Sequence, residues 1–159
     1  FARLDDNAPM PFEDTDAALL LEDIVDNVRF EGSAKKIDVT LTSPAHAVLR
    51  LHTDSFARAV ENILRNALRY TPEDGTGAVG AASEKAFTVS VTDEGPGMKP
   101  EVLDKLFLPF VRGSAEATGS GFGLGLAIAK RAVERHGGTL TAQNVAPHGL
   151  KMTITIPFA

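Results

Sequence analysis

Two asparagines four residues apart, Asn62 and Asn66 in ENILRNALRYTP, interrupt an otherwise good helical pattern. Asparagine is a poor residue for a helix interior, because its amide competes for backbone hydrogen bonds. At this spacing both project from one helix face, opposite the apolar stripe of Phe56, Val60, Ile63, Leu64, Ala67 and Leu68. Two readings stand side by side. One is a solvated polar face that tolerates Asn. The other is an amide carbonyl ligating Mg2+, a hard cation that takes oxygen ligands and shares phosphates and water. In the second reading Arg69 offers donors to phosphate oxygens, and Tyr70 packs on a base or on the core.

A second cluster lies in LFLPFVRGSAEATGSGFGLGLAIAK, where Gly113, Gly119, Gly121, Gly123 and Gly125 precede a helical run. Glycine-rich backbone entering a helix N-terminus cradles phosphate through free N–H groups and the helix dipole. A loop with merely relaxed sterics is the alternative. Phe107 and Phe110 anchor its base in either case, and Arg112 stands within reach of a phosphate. A third stretch, VSVTDEGPGM, ends an alternating strand at Asp93, with Gly95 and Gly97 behind it. Read alone it is a surface turn, or a carboxylate at a pocket mouth with glycines that let a ligand approach. Glu94 and Pro96 read as surface and turn.

Other chemistries find less support. The Walker pattern GxxxxGK[ST] is absent, and GTGAVG, Gly75 to Gly80, follows a helix and enters a strand. That is the reverse of a dinucleotide-binding context, so the match is accidental. His46, His52 and His148 lie near strand ends without an HxxxH or HExxH partner, and His136 suits a helix C-terminus, where positive charge is favoured. The chain has no cysteine, which excludes disulfides, thiolate nucleophiles and Cys-based metal sites. A net charge of −5 without a basic block argues against nucleic acid as a partner. No apolar run is long enough to span a bilayer.

The elements that must position these residues follow from periodicity. Asp16 to Arg29 reads as a helix with Leu20, Ile24 and Val28 on one face. KIDVTLT and AVLRLH read as strands, and Asp54 caps a helix running to about Tyr70, before Pro72. Strands follow around Val79 and through Phe87 to Thr92, then a short helix from Glu101 to Leu106. Gly123 to His136 is helical, stopped by Gly137 and Gly138, and GTLTAQN pairs with LKMTITIPF around Pro147. Strands and helices mix without strict alternation, which predicts a two-layer α/β (α+β) sandwich. With 159 residues, 43% hydrophobic and 23% charged, one ordinary soluble domain is expected.

In this order and spacing, the four motifs resemble the catalytic ATP-binding domain of sensor histidine kinases. That domain shares its ATPase fold with type II topoisomerases, mismatch-repair ATPases and a heat-shock chaperone family. ENILRNALRYTP looks like the Asn box, DEGPGM the first glycine box, LFLPFVRG the Phe box and GSGFGLGLAIAKRAVERHGG the second glycine box. The resemblance implies a mixed, mostly antiparallel sheet packed on about three helices, with a mobile ATP lid. It implies that Asn66 holds Mg2+ on the ATP phosphates, beside Asn62, and that Arg69 and Tyr70 contact the nucleotide. It gives Asp93 the adenine amine, with backbone room at Gly95 and Gly97. It makes Phe110 to Gly121, with Arg112, the lid, and Gly121, Phe122, Gly123, Leu124 and Gly125 the phosphate side. Phe122 stands where many members carry a small hydroxyl residue, so contacts there fall to the backbone.

On the same resemblance, residues 1–8, FARLDDNA, correspond to the end of a dimerisation helix or linker, and 9–159 to the catalytic domain. The phospho-accepting histidine then belongs to a separate dimerisation domain, since no histidine here is followed by an acid. The partners implied are that domain, a response regulator and ATP or ADP. The domain itself would be a cytoplasmic monomer without membrane contact, within a homodimeric membrane-bound sensor. The rivals are a serine kinase of the anti-sigma-factor type, a nucleotide-sensing docking module, and a topoisomerase-like ATPase.

Overall fold

The computed structural model describes residues 11–108 and 125–158. The proposed linker, residues 1–8, lies outside them. Strand β1 (Glu13–Asp16) leads directly into helix α1 (Ala17–Gly32), which a short 3-10 turn (Ser33–Lys35) connects to β2 (Asp38–Thr42). Then come β3 (Val48–Leu51), α2 (Thr53–Tyr70), β4 (Thr76–Ser83), β5 (Ala86–Thr92) and the short α3 (Pro100–Leu103). Helix α4 (Gly125–Arg135), β6 (Thr139–Asn144) and β7 (Leu150–Pro157) complete the described chain.

The main sheet has five strands in the order β2-β4-β5-β7-β6; only β2–β4 is parallel. This is the expected mixed, mostly antiparallel sheet. Its period-two pattern decides which face is covered. Phe87, Val89 and Val91 of β5 and Leu150, Met152, Ile154 and Ile156 of β7 are buried, and the residues between them are half-buried. Helices α1, α2 and α4 cover that face with Leu21, Val25 and Val28, with Phe56, Val60, Ile63 and Leu64, and with Ala129 and Val133.

Several boundaries differ from the expected ones. Strand β1, of sequence EDTD, was not legible as a strand; it pairs with β3 in a separate two-stranded sheet. Its Asp16 accepts N–H bonds from Ala18 (3.1 Å), Leu19 (3.4 Å) and Ala47 (3.0 Å), so one carboxylate both caps α1 and closes this small sheet. The Ala47 N–H and His46 hold that carboxyl below its usual range. Helix α1 runs past Arg29 to Gly32, because nothing in Phe30 and Glu31 stops it and Lys36 makes the left-handed exit (φ 59°). Helix α3 ends at Leu103 and not Leu106, continuing as turns. The N-cap of α2 is His52, whose Nδ1 accepts the Ser55 N–H (3.2 Å), and Asp54 lies inside the first turn. GTGAVG is a loop end and the start of β4, in keeping with its rejection as a phosphate loop.

Helices α2 and α4 run antiparallel and are stapled at two levels. Asn62 Nδ2 donates to the Gly125 carbonyl (3.2 Å), and the His52 N–H donates to His136 Nε2 (3.1 Å). His136 follows α4, whose end is closed by Gly138 N–H to Val133 O (3.0 Å) and by Gly137 at φ 77°. The expectation of a favourable positive charge at His136 is reversed. Its ring is packed edge-on against Phe12 and Phe56, and its Nδ1 donates to the Ala132 carbonyl (2.8 Å). With one nitrogen donating and the other accepting, the ring is neutral, and burial holds its pKa below the ordinary 6.5.

A depressed histidine pKa stabilises the fold above the unfolded value and loses that contribution as pH falls. Thermal unfolding between pH 8 and pH 5 should show stability declining below about 6.5 as His136 is forced to charge. His136→Gln should remove that part of the pH dependence.

Candidate functional site

Strand β5 ends at Thr92, and the next side chain, Asp93, is only 4% exposed. An isolated buried carboxylate is costly, so its hydrogen bonds matter. Asp93 Oδ1 accepts N–H bonds from Gly95 (2.9 Å) and Leu150 (3.1 Å), while its own N–H donates to the Leu150 carbonyl (2.9 Å). Burial pushes the carboxyl above its ordinary 3.8, and the Gly95 and Leu150 N–H groups oppose that rise. Both side-chain bonds fall on Oδ1, which leaves Oδ2 without a partner among the described residues.

The turn after Asp93 is clamped from two sides. A Cβ at Gly95 would lie 2.6 Å from the Tyr70 carbonyl oxygen and 2.9 Å from its Cβ, so this glycine permits contact with the end of α2. Gly97 has φ 78°, and a Cβ there would lie 2.7 Å from Asn144 Oδ1. The room these two glycines provide is therefore taken by protein. Asn144 brackets Met98, accepting its N–H and donating to its carbonyl, both at 2.8 Å. His148 Nδ1 donates to the Gly95 carbonyl (3.2 Å), and Gly149 (φ 128°) lies against the Asp93 carbonyl. Buried Thr71 accepts the Glu94 N–H on its hydroxyl (3.2 Å), and Glu94 Oε1 accepts the Thr76 N–H (2.8 Å). Glu94 is exposed, as expected, but it also ties the turn to β4.

The Asn pair occupies a different place from the one the spacing implied. Asn62 and Asn66 are half-buried, in a row with half-buried Tyr70 that flanks the buried stripe of α2 and does not oppose it. Positions four apart advance only about 40° round a helix, so the row drifts toward the apolar side. Asn62 is engaged by Gly125, whereas the side chains of Asn66 and the exposed Arg69 have no partner among the described residues. The row spans about 12 Å from Asn62 to Tyr70. One end meets the first residue of α4 and the other meets the Asp93 turn, with Asn66 between. Among the described residues no three His, Asp or Glu cluster as metal ligands, so a cation at Asn66 would take other oxygens from phosphate and water.

Leu106 is buried, and the half-buried Phe107 has Lys130 Nζ 5.6 Å from its ring centroid. Phe110, Arg112, Gly121, Phe122, Gly123 and Leu124 lie outside the described residues. Sequence reasoning missed Thr71, Asn144, His148 and Gly149. Thr71 carried a signal in its place before Pro72, at a helix stop. The other three act through contacts that no local pattern encodes.

Residues 51–159 match the family described as histidine kinase-, DNA gyrase B-, and HSP90-like ATPase. The chain is 38% identical over 151 residues to the sensor protein PfeS of Pseudomonas aeruginosa, covering 94% of this chain and 33% of that protein. It is 34% identical over 142 residues to the sensor histidine kinase CpxA of Escherichia coli, covering 87% of this chain and 31% of that protein. It thus spans about a third of the length of these relatives. The solved structure of a mycobacterial sensor histidine kinase, MprB, superposes with a TM-score of 0.81 at 28% identity, covering 92% of this chain and 98% of that one.

The two kinds of glycine should respond oppositely to a methyl group. Gly95→Ala drives Cβ into the Tyr70 backbone and should cost about 1–3 kcal/mol in chemical denaturation. Gly77→Ala in β4, where a Cβ meets nothing within 4 Å, should be neutral or stabilising by up to about 1 kcal/mol.

Proposed function

Because the chain belongs to the histidine kinase-, DNA gyrase B- and HSP90-like ATPase family, we propose that it is the catalytic ATP-binding domain of a sensor histidine kinase. In this reading it binds Mg-ATP and presents the γ-phosphoryl group to a histidine on a separate dimerisation domain, for relay to a response regulator. The observation that carries the nucleotide site is Asp93: a nearly buried carboxylate with one oxygen saturated by backbone N–H groups and the other without a partner among the described residues. A buried acceptor of this kind calls for a donor, and the adenine 6-amino group is one. Two sensor relatives at 38% and 34% identity support the kinase branch.

The mechanism follows from the α2 row. Phosphoryl transfer needs positioning and charge neutralisation more than covalent help. Asn66 would hold Mg2+ through its amide oxygen, and that ion would neutralise phosphate charge. Arg69 would donate N–H bonds to phosphate oxygens, and Asn62 keeps the start of α4 against α2 beside them. Tyr70 supplies the wall on which the Asp93 turn rests. The lid assigned to Phe110 through Gly121, with Arg112, and the backbone of Gly121 to Gly125 would enclose the phosphates and exclude water. The nucleophile belongs to the dimerisation domain, so the parent protein acts as a homodimer, and the domain works on the cytoplasmic side of a membrane-bound sensor. Among the described residues no helix is long and apolar enough to cross a membrane.

Isothermal calorimetry tests the site. Asp93→Asn should weaken ADP by about 1–3 kcal/mol, the scale of one disrupted buried polar pairing. Unchanged affinity would remove Asp93 from the pocket. ADP affinity of the unsubstituted chain should fall on acidification as Asp93 gains a proton, with a midpoint above 3.8. Incubated with radiolabelled ATP, the chain alone should form no phosphohistidine, and adding a dimerisation domain should restore transfer.

A further inference from the structure

The last carbonyls of α2 lie at the adenine end of the proposed site, and they converge on one side chain from a distant element. Lys35, at the end of the 3-10 turn after α1, places Nζ 2.9 Å from the Leu68 carbonyl, 2.9 Å from that of Thr71 and 3.4 Å from that of Arg69. Its own carbonyl accepts the Asp74 N–H (3.2 Å), so the residue grips the segment after α2 at two points. A helix C-terminus leaves carbonyls unsatisfied and carries partial negative charge, and an ammonium with three donors answers both. Here only the Ala67 carbonyl is taken by the capping N–H of Thr71.

What those carbonyls belong to gives the cap its significance. Tyr70 lies between two of them, and its backbone is the surface that Gly95 packs on. Thr71, the third, holds the Glu94 N–H through its hydroxyl. Arg69, the second, carries the guanidinium assigned to phosphate. We infer that Lys35 is a positioning residue for nucleotide binding: by capping α2 it holds the Tyr70–Thr71 backbone that aligns the Asp93 turn with the adenine edge. Lys35 touches no nucleotide and acts through α2. The inference rests on the adenine reading of Asp93.

The chain has no cysteine, which permits a selective test. Lys35→Cys removes the ammonium, and alkylating that single thiol with 2-bromoethylamine restores it on a thioether arm of the same length. On protein shown to be folded by circular dichroism, Lys35→Cys should weaken ADP about tenfold, and aminoethylation should restore most of that loss. Amide resonances of Glu94 and Gly95 in the ligand-free protein should move with the substitution and return with the alkylation. Folded Lys35→Cys that binds ADP within twofold of the unsubstituted chain, or a loss that aminoethylation leaves unchanged, would overturn the assignment. Should Lys35→Cys fail to fold, Lys35→Gln, which keeps two donors without the charge, takes its place under the same twofold criterion. Asp93→Asn measured in parallel separates the two levels. If it weakens ADP and the Lys35 variants do not, only the positioning role falls; if it binds ADP unchanged, the adenine reading and the role of Lys35 fall together.

Discussion

Burying a carboxylate is expensive, and the way Asp93 is compensated governs the architecture around it. Two backbone N–H groups from different parts of the chain must reach one oxygen, Gly95 from the following turn and Leu150 from the start of β7. To deliver them, the turn has to press against α2 on one side and against the β6–β7 connection on the other. That accounts for glycine at 95, 97 and 149, the Asn144 bracket around Met98 and the Thr71 bond to Glu94. The same economy leaves Oδ2 as a buried acceptor. The two oxygens of one side chain are therefore differently employed, one in holding the turn and the other open to the donor proposed for it.

Helix α2 serves three neighbours at once. Its apolar stripe packs on the sheet, its half-buried flank carries Asn62, Asn66 and Tyr70 of the proposed site, and its exposed side carries Arg65, paired with Glu31 at 2.9 Å. Such exposed pairs contribute little to stability. Burial of the apolar stripe, Phe56, Ile63 and Leu64 among it, holds the helix and frees the flank for polar residues that would otherwise weaken a helix.

Much of this was legible in the sequence because it is local. The alternation of Phe87, Val89 and Val91, the stripe on α2, and Gly137-Gly138 as a helix stop encode their structure over a few residues. Legibility failed where distant residues decide. Strand β1 is all polar and exists through backbone pairing with β3. His136 reads as a charged helix end until Phe12 and Phe56 surround it. Asp54 is a better cap by type than His52, yet the imidazole has the right backbone geometry. The four motifs assigned to the proposed site were each visible, and their order carried the resemblance. The clamp from Asn144, His148 and Gly149 was not, because it closes across about fifty residues of chain.

The two staples between α2 and α4 impose a length constraint on the chain. From His52 to Asn62 is ten residues and from Gly125 to His136 eleven, about 15 Å and about 16.5 Å at helical rise, running in opposite directions. Adding or deleting one residue within either span would turn everything beyond it by about 100° and carry one staple away from its partner. Homologous chains that keep both contacts must therefore keep both spans in register. Insertions and deletions are left to connections outside them, such as residues 43–45 between β2 and β3.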